Sequence, residues 1–488
     1  MSDVKPVARL FAGLLVIFSL CLSAPLAVSL WQQDGLWLDY AGSLLGGCAI
    51  GGVVFYKLRR HRQELQPRHG VLLVTCVWLL LPLFASVPIW LALRQVGQDP
   101  GFAGAFFEGV SGLTTSGATV LSSLQSLPLS LNLWRTFMQW LGGMGILILA
   151  VAILPMLGVG GSQVFKAEVA GPIKDTKLTP RITHTAKGLW SVYLGLSLAC
   201  FVAFWAGGMD AADALMHMFT TVSLGGLSPH DTSFGYFDSP LLEAIAVGFM
   251  LIASCNFALY FVAVRKRSLR GAWRNAELRA TLLVLVGSGL LVSLFLWSKN
   301  TYAFADALRF GMFNTISLAT TTGFATTDYL SWPMFAPLLM LLLSGVASSA
   351  GSTGGGVKML RVLILVQQAA RELTRLVHPT VINPVRLNHN IVESKVIFSV
   401  LAFMMFYIIT IVLLGLVLVF TDLDLVTAFS AVIASINCTG PGLGLVGPSS
   451  TYAVMDSFQL TVCSFAMLLG RLEILSMMVL LMPSFWRR

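Results

Sequence analysis

Residues 101–118 read GFAGAFFEGVSGLTTSGA. The apolar part, 101–114, is too short to cross a bilayer, which needs roughly 20 mostly apolar residues. It ends in Thr114-Thr115-Ser116-Gly117-Ala118, a run of small residues with a glycine near its centre. On either side lie apolar segments of spanning length, about 70–94 and 133–158. The pattern is long, short, long.

The distribution of charge says what the short segment does. Of the 31 lysines and arginines, 26 fall in six clusters: Lys5 and Arg9, 57–68, 166–187, 265–279, 358–395, and the terminal Arg487 and Arg488. Basic loops face the cytoplasm, so all clusters belong on one side, with both termini cytoplasmic. Two helices near 10–31 and 36–56 join the first two clusters by an even number of crossings. Three full crossings between Arg68 and Lys166 would put those clusters on opposite faces. The short segment therefore enters the membrane partway and returns.

The same pattern recurs at 188–208, 211–222 and 239–264, at 278–298, 303–319 and 333–370, and at 395–420, 424–437 and 455–484. Such repetition precedes any reading of motifs. The expected fold is an all-α integral membrane protein. A two-helix preface (1–58) is followed by four helix–pore-loop–helix repeats at 70–165, 183–265, 276–373 and 391–488. The N-terminal apolar run is long for a secretory signal and is read as a retained first helix.

Composition agrees. Of 488 residues, 56% are hydrophobic and 11% charged, against about 25% charged in soluble domains. The seven cysteines are scattered and, like the seven histidines, show no metal-ligand spacing. The net charge of +9 sits in the topological clusters, which argues against a nucleic-acid partner and suits membrane lipid headgroups.

After each short segment comes an equivalent small-residue stretch. These carry Thr115-Ser116-Gly117, Ser223-Leu224-Gly225, Thr321-Thr322-Gly323 and Cys438-Thr439-Gly440. In the second, Gly225 and Gly226 compete for the equivalent place, and Gly225 is taken. Non-helical backbone at membrane depth is tolerated only where protein buries it or it lines water. Four such segments around one axis offer carbonyl oxygens to a dehydrated cation. Glycine opens dihedrals closed to other residues, and the half-helix before each segment aims its partly negative C-terminal end at the ion.

Two further features fall outside the repeat. The glycine-rich run 345–356, with Gly345, Gly351, Gly354, Gly355 and Gly356, interrupts an apolar segment. A phosphate-binding loop needs Lys directly after the last Gly, but Val357 precedes Lys358 here. A flexible kink is one reading. An unwound intramembrane loop beneath the filter, obstructing the pore and moving on opening, is the preferred one. Arg471 lies mid-span, where a charge is costly unless it faces water or a partner. Glu473 is about 200° around the helix from it, which argues against direct pairing. A structural arginine satisfied by carbonyls is one reading of Arg471, and a cation facing the pore just inside the filter, interacting with the loop 345–356, is the preferred one. The filter hydroxyls and Arg471 are the polar groups expected at membrane depth. Outer loops carry Asp34, Asp39, Asp99, Asp231, Asp238, Asp328, Asp422 and Asp424, which either enrich cations or reflect topology alone.

FFEGVSGLTTSGAT at 106–119, WLGGMGI at 140–146, GSTGGGVK at 351–358, TGPGLG at 439–444 and GRLE at 470–473 carry a resemblance over essentially the whole chain. The sequence resembles the Trk/Ktr/HKT superfamily of potassium transporters, on the bacterial TrkH/TrkG branch. Ser116 stands where threonine is more usual, and Cys438 is a variable filter position. The resemblance implies potassium as the transported ion and the bacterial inner membrane as its location. It also implies a gating role for 345–356, a homodimer with one pore per subunit, and a cytosolic TrkA-type regulator that binds NAD and ATP. This chain is expected to bind no nucleotide, and the loops 166–187 and 265–279 are the expected docking sites.

Two other classes fit less well. A secondary transporter with a midplane site predicts two inverted halves, and an intramembrane enzyme needs a catalytic constellation that the spans lack.

Overall fold

The computed structural model describes residues 4–60, 67–153, 182–268, 270–388 and 390–486. The basic stretch 166–181 and the terminal arginines lie outside the described residues.

Two preface helices were expected from the apolar runs. The first is divided into α1 (Val4–Leu20) and α2 (Ser23–Gln32), and the second is α3 (Trp37–Lys57). α1 and α3 pack closely because Gly47 and Gly51 present no side chain, and a Cβ at either would overlap α1.

Four units follow. The first holds α4 (Pro67–Val96), α5 (Gly101–Leu113) and α6 (Leu129–Ile153). The second holds α7 (Ile182–Ala206), α8 (Ala211–Val222), α9 (Pro240–Ala253) and α10 (Phe257–Lys266). The third holds α11 (Ala276–Ser298), α12 (Phe304–Ala319), α13 (Phe335–Ser344) and α14 (Met359–Val377). The fourth holds α15 (Ser394–Val419), α16 (Leu425–Asn437), α17 (Ser457–Arg471) and α18 (Ile474–Leu481). A two-stranded antiparallel ribbon, β1 (Arg386–Leu387) and β2 (Asn390–Ile391), joins the last two.

The layering inverts that of a soluble protein. The short helices α5, α8, α12 and α16 occupy the interior, with their C-terminal halves buried. The long helices surround them and expose apolar side chains: Leu283 is 75% exposed and Phe398 70%. Apolar patches of this extent mark contact with another apolar phase. Among the described residues, six helices are long and apolar enough to cross a membrane, or seven if the bent pair α9–α10 is one span. The protein is a multi-pass helical membrane protein.

Side-chain caps fix where several helices begin. Asp424 accepts the Thr427 N–H at 2.9 Å, and Asp210 accepts the Ala212 N–H at 3.1 Å. Asp456 and Gln459 form a reciprocal capping box at the start of α17.

Two expected spans are not continuous. The segment 239–264 breaks after Ala253, and α10 leaves α9 at 90°. Asn256 causes the break by accepting the Ala258 N–H and starting a new helix. The segment 455–484 breaks at Glu473, which is left-handed with φ 55°. The expected interruption in the third unit lies between Ser344 and Met359. The second long segment is thus broken in units two, three and four.

Candidate ion-selective ring and the loop beneath it

Each short helix ends the same way. The Ser116 N–H donates to the Ser111 carbonyl at 2.9 Å, Gly225 to Thr220 at 2.8 Å, Thr322 to Ser317 at 2.9 Å, and Thr439 to Ala434 at 2.9 Å. This six-to-one bond needs a left-handed residue before the donor. Thr115, Leu224, Thr321 and Cys438 fill that place, with φ of 56°, 55°, 64° and 55°. For a β-branched threonine this conformation is strained. After each donor comes a glycine at positive φ: Gly117 at 81°, Gly226 at 74°, Gly323 at 87° and Gly440 at 91°.

The second unit therefore needs a correction. Gly226, not Gly225, is equivalent to Gly117, Gly323 and Gly440. Gly225 matches Ser116, Thr322 and Thr439, so the segment is Leu224-Gly225-Gly226, and Ser223 caps the helix instead. Two adjacent glycines hide this in the sequence, and only the left-handed backbone of Leu224 and Gly226 separates them.

The four glycines close a circle. A Cβ on Gly117 would run into the Gly225 carbonyl, and one on Gly226 into that of Thr322. One on Gly323 would meet the Thr439 carbonyl, and one on Gly440 the carbonyls of Ser116 and Gly117. Each unit thus abuts the next, and the fourth returns to the first. Both φ and space exclude a side chain at these positions.

The glycine-rich loop packs against this ring. Its neck is closed by Val357 N–H to the Gly345 carbonyl and Met359 N–H to that of Ser348, both 2.7 Å. Gly351 (φ 77°) and Gly356 (φ 79°) turn the chain. The Gly355 N–H donates to Thr321 Oγ1 at 3.1 Å, and Thr353 Oγ1 donates to the Val222 carbonyl at 3.2 Å. Gly355 also lies against the Asn437 carbonyl, leaving no room for a Cβ, and Gly354 packs on Ser348 and Thr321. From the fourth unit, Arg471 Nη1 donates to the Thr353 carbonyl at 3.0 Å, and Nη2 to that of Gly142 in α6 at 3.3 Å. Units two, three and four meet at the loop, and Arg471 links it to α6 of unit one.

Comparison with known proteins gives the family. A family model described as "TrkH: Cation transport protein" matches residues 45–488. The Trk system potassium uptake protein TrkH of Vibrio parahaemolyticus is 41% identical, with 99% of each chain covered. The proteins named TrkH and TrkG of Escherichia coli K12 are 39% and 35% identical, covering 99% of this chain and 99% of theirs for TrkH, and 100% and 99% for TrkG. The crystal structure of the potassium transporter TrkH from Vibrio parahaemolyticus superposes with a TM-score of 0.89 at 39% identity, over 99% of this chain and all of that one.

The chain belongs to the TrkH family.

Several buried polar groups of this TrkH-family chain escaped the sequence reading, which counted Arg471 as the charge at membrane depth. Glu108 and Arg135 are buried and paired at 2.9 Å. Gln139 is buried beside the ring, donating to the Gly225 carbonyl at 2.7 Å and accepting the Leu227 N–H at 3.1 Å. Glu277 accepts the Ala350 N–H of the loop at 2.6 Å. The break between α9 and α10 also holds the loop, through Ser349 N–H to the Ser254 carbonyl at 2.9 Å and Phe257 N–H to that of Gly351 at 3.1 Å. A polar residue within an apolar helix was the available signal for Glu108 and Arg135.

Glu473 has a partner in the third unit. It pairs with Arg361 at 2.7 Å, whose guanidinium lies 4.0 Å from the Phe403 ring centroid. A cavity under the loop is lined by Lys358, Arg361, Tyr407, Arg471 and Glu473. Several of the aspartates expected in outer loops have local structural roles. Asp231 accepts the Leu124 N–H at 3.0 Å, Asp328 that of Leu330 at 3.0 Å, and Asp238 pairs with Arg309 at 2.7 Å.

Proposed function

We propose that this protein takes up potassium ions across the bacterial inner membrane through a channel-like pore. Its selectivity filter would be the ring of Thr115-Ser116-Gly117, Leu224-Gly225-Gly226, Thr321-Thr322-Gly323 and Cys438-Thr439-Gly440. The observation that carries this reading is the closed contact order of the four glycines. Backbone carbonyls in such a ring replace the hydration shell of an ion that has entered. The C-terminal ends of α5, α8, α12 and α16 meet at the ring, and each adds partial negative charge.

The loop 345–356 is the proposed gate. On the side of the ring and Arg471, two neutral hydrogen bonds and one charged one hold it to Thr321, Val222 and Arg471, while Glu277, Ser254 and Phe257 hold its other side. At about 0.5–1.5 and 1.5–3 kcal/mol each, the bonds to Thr321, Val222 and Arg471 come to roughly 3–6 kcal/mol. Moving a two-state equilibrium from 1:99 to 99:1 takes about 5.5 kcal/mol of differential binding. Breaking the contacts to the ring and Arg471 alone is therefore within the reach of a regulator's binding energy.

That regulator is proposed to be a cytosolic nucleotide-binding partner of the TrkA type, docking on the basic segment 265–279 and on 166–187. The protein is proposed to act as a homodimer with both termini cytoplasmic. Growth of a potassium-uptake-deficient bacterium on low potassium tests the reading. Wild-type chain should restore growth, and Gly117→Ser, Gly226→Ser, Gly323→Ser and Gly440→Ser should each impair it. Undiminished growth by all four variants at equal expression would refute it.

A further inference from the structure

Beyond the ring, each unit ties its short helix to the chain two or three residues past the glycine. The four ties are chemically unequal. In unit three, Asn314 accepts the Thr326 N–H at 3.2 Å and donates to its hydroxyl at 2.7 Å. In unit four, Ser430 Oγ accepts the Leu443 N–H at 2.9 Å. Both are neutral and internal to their unit.

Unit one uses charge. Glu108 Oε1 accepts the Thr119 hydroxyl at 2.6 Å and the Val120 N–H at 2.8 Å. Its other oxygen accepts Arg135 Nε at 2.9 Å, and Arg135 Nη2 donates to Thr119 Oγ1 at 2.8 Å. Arg135 Nη1 also reaches Asn132 Oδ1 at 3.2 Å. Charge-assisted bonds of this kind are about twice as strong as neutral ones.

Unit two cannot copy the others. The position three past its glycine is Pro229, which has no N–H to give. His217, at the place of Glu108, bonds the Ser228 hydroxyl at 3.1 Å and the Asp213 carbonyl of its own helix at 2.8 Å, and reaches no backbone N–H past the glycine. The missing hold comes from outside the unit. Gln139 of α6 grips the Gly225 carbonyl and the Leu227 N–H. Arg135 and Gln139 are four residues apart and so share one face of α6.

We propose that α6 is the positioning element for half of the ring. Through Arg135 with Glu108 it fixes the segment carrying Gly117. Through Gln139 it fixes the segment carrying Gly225 and Gly226. This anchoring makes Glu108, Arg135 and Gln139 determinants of ion discrimination, although none of them need touch the ion. The inference rests on the filter reading above.

The test is the potassium-to-sodium permeability ratio of reconstituted full-length protein, which does not depend on how many molecules fold. Replacing a buried ion pair by apolar residues of similar volume is often neutral for stability. The double variant Glu108→Met/Arg135→Met therefore removes the anchor while sparing the fold. Thr119→Val removes one shared hydroxyl and serves if the double variant fails to fold. Gly117→Ser is the reference. The double variant, and Gln139→Leu separately, should lower the ratio about tenfold, the effect of losing one to two buried hydrogen bonds. Thr119→Val should lower it less. An unchanged ratio in the anchor variants beside a lowered one in Gly117→Ser would overturn the inference alone. An unchanged ratio in Gly117→Ser would overturn the filter reading, and this inference with it.

Discussion

Arg471 Nη1 stands 3.0 Å from the carbonyl oxygen of Thr353. This hydrogen bond joins the fourth unit to the loop of the third, directly beneath the glycine ring. Among the described residues, the bond from Arg471 to the loop is particular to the fourth unit, so the four-fold pseudosymmetry of the ring does not extend to the contacts beneath it.

Arg471→Ala should loosen the closed state. Losing a charged hydrogen bond of about 1.5–3 kcal/mol corresponds to roughly a tenfold to hundredfold rise in the open fraction. Rubidium flux into proteoliposomes without any regulator measures this directly. Unchanged flux and unchanged selectivity would show that Arg471 takes no part in closure.

The Arg361–Glu473 pair should act as a second latch, because Arg361 sits at the start of α14 and Glu473 at the break after α17. Glu473→Gln is expected to raise basal rubidium flux severalfold, since partly buried pairs exceed the ~0–1 kcal/mol of exposed ones. A double-mutant cycle with Arg361→Met should show coupling between the two. Additive effects would mean that the pair is only a packing contact.

Gly355→Ala places a Cβ against the Asn437 carbonyl, so the loop cannot seat as it does here. The expected outcome is a folded, leaky protein with higher flux in the absence of a regulator. Gly355→Ala flux equal to wild type would remove the loop from the closing machinery.

Much of the architecture was legible in the chain. The short helices expected at 211–222 and 303–319 are found at Ala211–Val222 and Phe304–Ala319, because a half-length apolar run ending in small residues has few other solutions. The register of unit two was not legible. Gly225 and Gly226 are identical side chains, and only backbone dihedrals tell them apart. The breaks at 254–256 and Glu473 were hidden because apolar runs continue on both sides of two polar residues, Ser254 and Asn256 in one and Arg471 and Glu473 in the other. The Glu108–Arg135 pair was missed because its partners lie on different helices, and nothing local links them.

Nucleotide should act only through a partner. The purified chain is expected to bind neither ATP nor NAD, and any nucleotide dependence of flux should vanish when the partner is absent. Equilibrium binding of labelled ATP to the purified chain checks this, and saturable binding would refute it. Neutralising Arg265, Lys266 and Arg267, at the end of α10, should weaken the partner's effect and leave partner-free flux unchanged.

The central claim is that the four-glycine ring chooses the ion. Reversal potentials under opposed potassium and sodium gradients test it most directly, on wild type and on Gly117→Ser, Gly226→Ser, Gly323→Ser and Gly440→Ser. The account predicts a potassium-selective wild type and a ratio lowered in every variant, with Gly225→Ser acting differently from Gly226→Ser because its backbone is not left-handed. A wild type without potassium preference, or four variants with unaltered reversal potentials, would contradict it.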